Sequence, residues 1–184
     1  MAPVRRNSLL RRAASTLLAL SLVVAGLFAA GLLPANGPGP AAPDQAAPHW
    51  SATEPPLNLK HILDGEISRS GKPTGFHHRA GGRDTDTKRL KQRLSGPNKA
   101  GVYTAIVEIY DPDTGHWKQK FSSLFPDRFN RDQLVGAILN AYQQDSLPDR
   151  RKWRGPSGHG FQIEGYLLPD GRIITAYPLY RDDP

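Results

Sequence analysis

The sequence predicts an α+β domain whose sheet is mainly antiparallel. Residues 102–125 and residues 161–180 are each predicted to form a β-hairpin, because strand-forming residues flank a short turn in each. Between them, residues 131–144 carry one apolar stripe at helical spacing. The length of 184 residues is typical of a single domain.

Residues 1–33 are predicted to be an export signal or a membrane anchor. Four arginines in the first twelve residues precede an apolar run at residues 13–33. This run is also long enough to span a bilayer, for which roughly 20 residues suffice. In both cases the positive-inside rule places the rest of the chain outside the cytoplasm. We therefore expect a secreted or extracytoplasmic protein that meets the membrane only through this segment.

Residues 34–56 are predicted to be an extended linker, because Pro, Ala and Gly dominate them. The folded domain is then expected at residues 57–182, which is enough chain to bury one core. The chain has no cysteine, which excludes disulfides, thiol nucleophiles and thiolate metal sites.

The first part of the domain is expected to be rich in loops. Residues 57–66, "LNLKHILDGE", have apolar residues near helical spacing and predict a short helix or turn that ends at Gly65. Residues 68–101 are polar and rich in glycine, and they predict a loop with a short basic helix near "TKRLKQRL", residues 87–94.

The first hairpin joins "VYTAIVEIY" to "HWKQKFSSLF" through the turn "DPDTG". Because strand side chains alternate, His116, Lys118, Lys120 and Ser122 are expected on one face, opposite the face of Trp117.

The next helix is expected to begin at Asn130, which forms a capping box with Gln133. Residues 146–158 predict a basic loop before the second hairpin, "FQIEGYLL", "PDG" and "RIITAYPLY".

The charge balance favours a polyanionic partner. The chain has a formal net charge of +7, and residues 1–49 contribute +3 of it, which leaves +4 for the rest. Seven cationic side chains are candidates for an electrostatic track along such a partner, namely Arg79, Arg83, Lys88, Arg89, Arg151, Lys152 and Arg154.

Two histidines, His61 and His77, bracket a short segment that contains Gly65, Gly71 and Gly75. A fold-back at these glycines is expected to bring the two rings together. Near neutral pH, one imidazole can accept a proton while another donates one. Cleavage of RNA through its own 2′-hydroxyl needs such a base and acid, with a cation for the phosphorane.

Four motifs read together resemble one family. "HILDGEI" at residues 61–67, "GFHH" at 75–78, a strand that bears lysine, and "TAYP" at 175–178 resemble the bacterial branch of the EndoU endoribonucleases. The resemblance covers about residues 57–182. It implies two small subdomains with antiparallel sheets, flanking helices and a groove between them.

The resemblance also implies roles for individual residues. His61 matches the general acid and His77 the general base, while Thr175 and Tyr177 match residues that bind ribose or base. His78 is kept as a further substrate-binding candidate. Both Lys118 and Lys120 are candidates for the catalytic lysine, with Lys120 preferred, and Ser122 or Ser123 would supply a hydroxyl near the base.

The family reaction yields a 2′,3′-cyclic phosphate from single-stranded or tRNA-like RNA and needs no cofactor, although manganese stimulates some members. Bacterial members often act as secreted toxins, so a cognate immunity protein is an expected partner. One alternative is a non-catalytic module that binds RNA or another polyanion. The other is a metal-dependent nuclease, with zinc held by His61, His77 and His78 together with Asp64 or Glu66.

Overall fold

The computed structural model describes residues 49–147 and 151–184. It confirms the α+β class with antiparallel sheets. The elements in chain order are α1 (Leu59–Leu63), β1 (Glu66–Ile67), β2 (Pro73–Thr74), a 3₁₀ turn (Ala80–Gly82), β3 (Lys88–Ser95), β4 (Tyr103–Asp111), β5 (His116–Leu124), α2 (Arg131–Gln143), β6 (Lys152–Pro156), β7 (Gln162–Leu167) and β8 (Ile173–Leu179).

Three antiparallel sheets organise these elements. β1 and β2 form a two-stranded hairpin, β3-β4-β5 form one three-stranded sheet, and β6-β7-β8 form another. Each predicted hairpin is present, as β4–β5 and as β7–β8. The turn of the first is capped by Asp111, whose carboxylate accepts from the Asp113 amide and the Thr114 hydroxyl.

Two buried clusters support the two larger sheets. The first lies between α1, α2 and the sheet β6-β7-β8, and Leu57, Ile138 and Trp153 are among its buried members. The second lies under β3-β4-β5, with Phe76 and Val107 at its centre. Each sheet therefore buries its own apolar face.

The predicted helix after the first hairpin is α2, and its predicted capping box is present. The Gln133 amide donates to Asn130 Oδ1 at 2.8 Å, and the Asn130 amide donates to Gln133 Oε1 at 2.9 Å. These two bonds satisfy donors that the first turn of a helix leaves without partners.

The predicted basic helix at residues 87–94 is wrong, because that segment is strand β3. Its Lys, Arg, Leu and Gln residues favour helices, but such propensities are weak and pairing with a neighbouring strand overrides them. β3 places Leu90 opposite Val107 and Arg89 opposite Glu108 on β4. Arg89 Nε donates to the Glu108 carboxylate at 2.6 Å, so the registered pair also forms an ion pair.

The predicted loop at residues 146–158 is also partly wrong, because β6 lies within it. Trp153 is buried, and Arg154 lies opposite Glu164 on β7. Pro156 is compatible with this strand because β6 stands at a sheet edge. The charged and turn-forming residues around Trp153 conceal the strand in the sequence.

The predicted signal or anchor at residues 1–33 lies outside the described residues, as does most of the predicted linker. The end of the linker runs along the domain. The Ser51 amide donates to the Leu57 carbonyl at 2.9 Å, and the Arg172 guanidinium stacks 4.2 Å from the Trp50 ring centroid. Within residues 49–147 and 151–184, no helix is long and apolar enough to cross a membrane.

Candidate active site

The β1–β2 hairpin returns the chain to α1 and so brings the two bracketing histidines together. The hairpin turn is closed by the Ser68 amide, which donates to the Lys72 carbonyl at 2.8 Å. Beyond β2, the Phe76 amide donates to the His61 carbonyl at 2.9 Å, and the His77 amide donates to the Ile62 carbonyl at 2.8 Å. The predicted fold-back is therefore present, and backbone bonds to α1 hold it.

Gly75 is required at the point where the chain meets α1. Its φ is +69°, in the left-handed region, and a Cβ there would collide with the His61 carbonyl. Phe76 is also left-handed, with φ +57°, which is uncommon for a residue with a side chain. Complete burial of the Phe76 ring in the second core offsets that conformational cost.

The rings of His61 and His77 lie next to each other, with centroids 6.4 Å apart and planes inclined by 37°. His77 Nδ1 lies 3.1 Å from the Ser123 carbonyl and 3.0 Å from Ser122 Oγ. A carbonyl oxygen only accepts, so Nδ1 carries the hydrogen and donates. In the neutral ring, Nε2 then keeps a free lone pair.

His61 is oriented by an acidic residue from the hairpin. Its Nδ1 lies 2.8 Å from Glu66 Oε1 on β1. A carboxylate accepts, so Nδ1–H of His61 donates and Nε2 is the other functional nitrogen. This arrangement resembles the carboxylate-to-imidazole pairs that fix ring orientation in Ser-His-Asp triads.

The structure separates the two candidate lysines. Lys120 Nζ donates to the Gly75 carbonyl at 2.7 Å and to Ser122 Oγ at 3.3 Å, which places its ammonium beside the histidine segment. Lys118 lies on the same strand face but one repeat away, with Nζ 3.8 Å from Asp111 at the hairpin turn. Only Lys120 of the two lies at the histidine site.

A cavity of about 330 Å³ opens beside His77 and Lys120. Its lining includes four of the substrate-binding candidates predicted from sequence. Ser122 and Ser123 come from β5, and Thr175 and Tyr177 come from β8. His61 adjoins this cavity through His77 and is not among its lining residues.

β8 contributes Tyr177 and Thr175 to the lining of the cavity. The Tyr177 ring centroid lies 5.5 Å from that of His77, with the planes inclined by 33°. Thr175 Oγ1 is buried and has no hydrogen-bond partner in the described part of the chain. A buried hydroxyl without a partner is rare, and here it belongs to a residue that lines the cavity.

The buried carboxylate of Glu164 holds the Tyr177 side chain in position through its hydroxyl. The Tyr177 hydroxyl donates to Glu164 Oε1 at 2.5 Å, and Glu164 lies opposite it on β7. Glu164 also receives Arg154 Nη2 at 2.5 Å and Lys152 Nζ at 3.0 Å, both from β6. A charged network across three strands therefore sets the position of the Tyr177 ring.

Burial sets the electrostatics of the site. Burial, together with the nearby Lys120 ammonium, lowers the pKa of His77 to about 3, although the bond to the Ser123 carbonyl opposes this. Burial also lowers the pKa of Lys120 to about 8. Burial and the Glu164 carboxylate raise the pKa of Tyr177, so its hydroxyl stays protonated. At neutral pH the site thus holds a neutral His77, a cationic Lys120 and a neutral Tyr177.

Residues 57–180 match the family described as bacterial EndoU nuclease. The chain belongs to this family. A Bacillus cereus protein named "Toxin" is 32% identical over 124 residues, which are 67% of this chain and 22% of that relative. The chain thus spans well under half of that relative. No solved structure matches the chain.

The second histidine of the EndoU motif "GFHH" does not share the cavity. His78 is 2% exposed, and its Nε2 lies 3.1 Å from the Phe129 carbonyl in the interior. Its Nδ1 is buried without a partner in the described residues. The sequence left open whether His78 assists or faces solvent, and the structure places it in neither position.

The buried histidines of this EndoU domain predict a loss of stability in acid. Burial lowers the pKa of His77 to about 3 and that of His78 to about 4. Unfolding returns both to about 6.5, so between these values the unfolded chain binds more protons and stability falls as pH falls. Each histidine should cost about 2 kcal/mol at pH 5 relative to pH 8.

The measurement is the free energy of unfolding in urea at pH 8, 6.5 and 5. His78→Asn should remove about half of the histidine-dependent loss between pH 8 and pH 5, because it removes one of the two buried histidines. Equal losses in the parent chain and His78→Asn would contradict the assignment.

The zinc set considered from sequence is not assembled in this EndoU domain. His61 is bonded to Glu66, His78 points into the interior, and Asp64 pairs with Lys88. Among the described residues, no group of three or more His, Asp or Glu side chains is placed to hold a metal ion.

Most of the cationic side chains expected to form an electrostatic track are paired with carboxylates of the EndoU domain itself. At least five of the seven cations form ion pairs with carboxylates in the described residues, namely Arg79, Lys88, Arg89, Lys152 and Arg154. The positive charge that these residues offer to RNA is therefore smaller than the sequence count indicates.

Two functional candidates were missed by sequence reasoning. Glu66 was considered only as a zinc ligand, although it stands five residues after His61 in the motif "HILDGE". Glu164 carries no local signal, because its contact with Tyr177 depends on the register of β7 and β8.

Proposed function

We propose that this chain is an endoribonuclease that cleaves RNA by attack of a 2′-hydroxyl on the adjacent phosphate. The products would be a 2′,3′-cyclic phosphate and a free 5′-hydroxyl. The observation that carries the proposal is the grouping of His61, His77 and Lys120, with the histidine ring centroids 6.4 Å apart and the lysine bonded to Gly75 between them in sequence. Membership of the EndoU nuclease family also supports the proposal of an endoribonuclease.

In this mechanism His77 is the general base. Its Nδ1–H donates to the Ser123 carbonyl and to Ser122 Oγ, so Nε2 is the atom that would accept the 2′-hydroxyl proton. A pKa of about 3 keeps the ring neutral and available, but it also makes the ring a weak base. An incoming phosphate anion would offset the field of Lys120 and raise the proton affinity of His77 when substrate binds.

His61 is the general acid, and Lys120 stabilises the charge that develops. The Glu66 carboxylate holds His61 Nδ1–H, which leaves Nε2–H of the imidazolium to protonate the departing 5′-oxygen. The Lys120 ammonium would face the non-bridging oxygens of the phosphorane in a partly buried site, where such interactions are strong. Thr175 and Tyr177 would hold the ribose or base on the other wall.

No protein nucleophile enters this sequence of proton transfers, and we propose that no cofactor is required. Manganese could stimulate cleavage through binding to RNA or to the protein. The two rivals remain a metal-dependent nuclease and a non-catalytic module that binds RNA. The His77 tautomer with its hydrogen on Nδ1 favours the transesterification mechanism, because it leaves a lone pair on Nε2 of a buried, neutral imidazole beside a cation.

The test uses oligonucleotides that are deoxyribose throughout except for one ribose, prepared with each of the four bases at that position. The proposal predicts a single cut, directly 3′ to the ribose, and no cut in the all-deoxy control. Cleavage of the all-deoxy strand, or cleavage at positions other than the ribose, would overturn it. The four bases would also reveal any base preference.

We further propose a role as a secreted bacterial toxin with a cognate immunity protein. The toxin name of the Bacillus cereus relative supports this, and the basic arginines before residues 13–33 support export. Expression without residues 1–33 in a bacterial cytoplasm should arrest growth, and a His61→Ala, His77→Ala double variant should not. Equal growth of both strains would contradict the toxin role.

A further inference from the structure

Phe121 is the most exposed large apolar side chain in the described residues, at 59%. It lies on β5 between Lys120 and Ser122. Single exposed apolar residues are common and need no explanation by themselves. This one differs because it lines the same cavity of about 330 Å³ as His77 and Lys120.

The position of β5 explains how Phe121 reaches this cavity. Its neighbours Lys120 and Ser122 point to one face of the sheet, so Phe121 points to the other. Among the described strands β5 pairs with β4 alone and so lies at the edge of its sheet, where a cavity can be lined from both faces.

The lining of the cavity comes from three strands with different chemistry. β8 contributes Tyr177 and Thr175, β5 contributes Phe121, and β2 contributes Pro73 and Thr74. The β8 residues already serve one nucleotide in the proposed reaction. Phe121 adds an apolar ring to a cavity whose lining also includes Lys120. Sites that combine aromatic rings with cations bind bases on the rings and phosphates on the cations.

We propose that Phe121 forms a stacking subsite for the base that flanks the nucleotide held by Tyr177 and Thr175 in single-stranded RNA. The inference rests on the proposed function and deepens it. The occupant is one planar base and not an apolar protein surface, because the other exposed large apolar residues of the described chain, Leu94 and Tyr166, do not line the cavity. A protein interface would present a contiguous apolar patch.

Stacking on a phenyl ring tolerates every base, so the subsite would strengthen binding without reading sequence. Purines, with more area to stack, should be favoured at the flanking position. Truncation of the ring should therefore raise KM more than it lowers kcat, because the contact exists before the chemical step.

The experiment combines Phe121→Ala in the full chain with an oligonucleotide that contains one ribose and an abasic residue at each flanking position in turn. Phe121→Ala should lower kcat/KM about 5- to 100-fold on the intact strand. On the strand that is abasic at the subsite position, parent and variant should cleave equally. Phe121→Tyr restores a ring and should recover most of the activity lost in Phe121→Ala, and Leu94→Ala is the matched control for loss of an exposed apolar residue.

A second readout does not require cleavage. In Phe121→Trp, an all-deoxy strand should quench the additional indole fluorescence, and the same strand made abasic at the subsite should not. Equal cleavage of the intact strand by the parent chain and Phe121→Ala would overturn the subsite while leaving the cleavage reaction standing. Base-dependent quenching in Phe121→Trp, together with a parent chain that cuts no RNA, would support the subsite and overturn the proposed function.

Discussion

Replacement of His61 or His77 with alanine is expected to slow RNA cleavage by about 10²–10⁴-fold each. The two losses should not add in the double variant, because in the proposed mechanism both residues take part in one sequence of proton transfers. The exposed His116→Ala is the matched control and should cleave at the parent rate. Both active-site variants should still bind RNA, because neither substitution removes the Lys120 ammonium.

A substrate with an activated leaving group separates the two roles. In a nucleoside 3′-(4-nitrophenyl phosphate), the departing phenolate needs no proton, so His61→Ala should lose little activity. His77→Ala should still lose its full factor, because the 2′-hydroxyl must be deprotonated in both substrates. An equal loss in the two variants on this ester, or a larger loss for His61→Ala, would contradict the assignment of acid and base.

Loss of Lys120 is expected to have the next largest effect. Lys120→Ala should lower kcat by about 10²–10³-fold, as removal of a group aimed at developing charge does elsewhere. Lys118→Ala is a close control, since it removes the same charge from the same strand face but from the Asp111 end. Equal losses in the two variants would show that the charge acts at long range and not in the cavity.

The pKa of about 8 for Lys120 adds a pH signature. The ammonium is the protonated form, so kcat/KM should fall as pH rises through about 8. Lys120→Arg stays cationic at every working pH, so its residual activity should not show this fall. A parent profile that is flat between pH 7 and pH 9.5 would contradict a catalytic ammonium at this position.

Local signals allowed the sequence to predict α2 and the two hairpins. The capping box of Asn130 and Gln133, the "DPDTG" turn and the "PDG" turn each depend on neighbours within a few residues. The fold-back between His61 and His77 is also signalled within its own segment, because glycines such as Gly75, with φ +69°, permit a left-handed backbone. These elements are dictated locally and so can be read from one sequence.

Long-range pairing decides the features that the sequence misassigned or missed. β3 has the composition of a helix and becomes a strand because β4 offers Val107 and Glu108 as partners. The contact between Tyr177 and Glu164 likewise exists only once β7 and β8 are in register. In these cases the position of a side chain depends on residues that are distant in the chain, so a local sequence pattern cannot predict it.

The most direct measurement of the central claim is the chemical nature of the RNA ends. The full chain and its His77→Ala variant would each be incubated with a mixed-sequence RNA in excess EDTA, and the fragments analysed by mass spectrometry. The two-histidine mechanism predicts 2′,3′-cyclic phosphate and 5′-hydroxyl ends from the parent and none from the variant. Fragments with 5′-phosphate ends, or cleavage that EDTA abolishes, would contradict it.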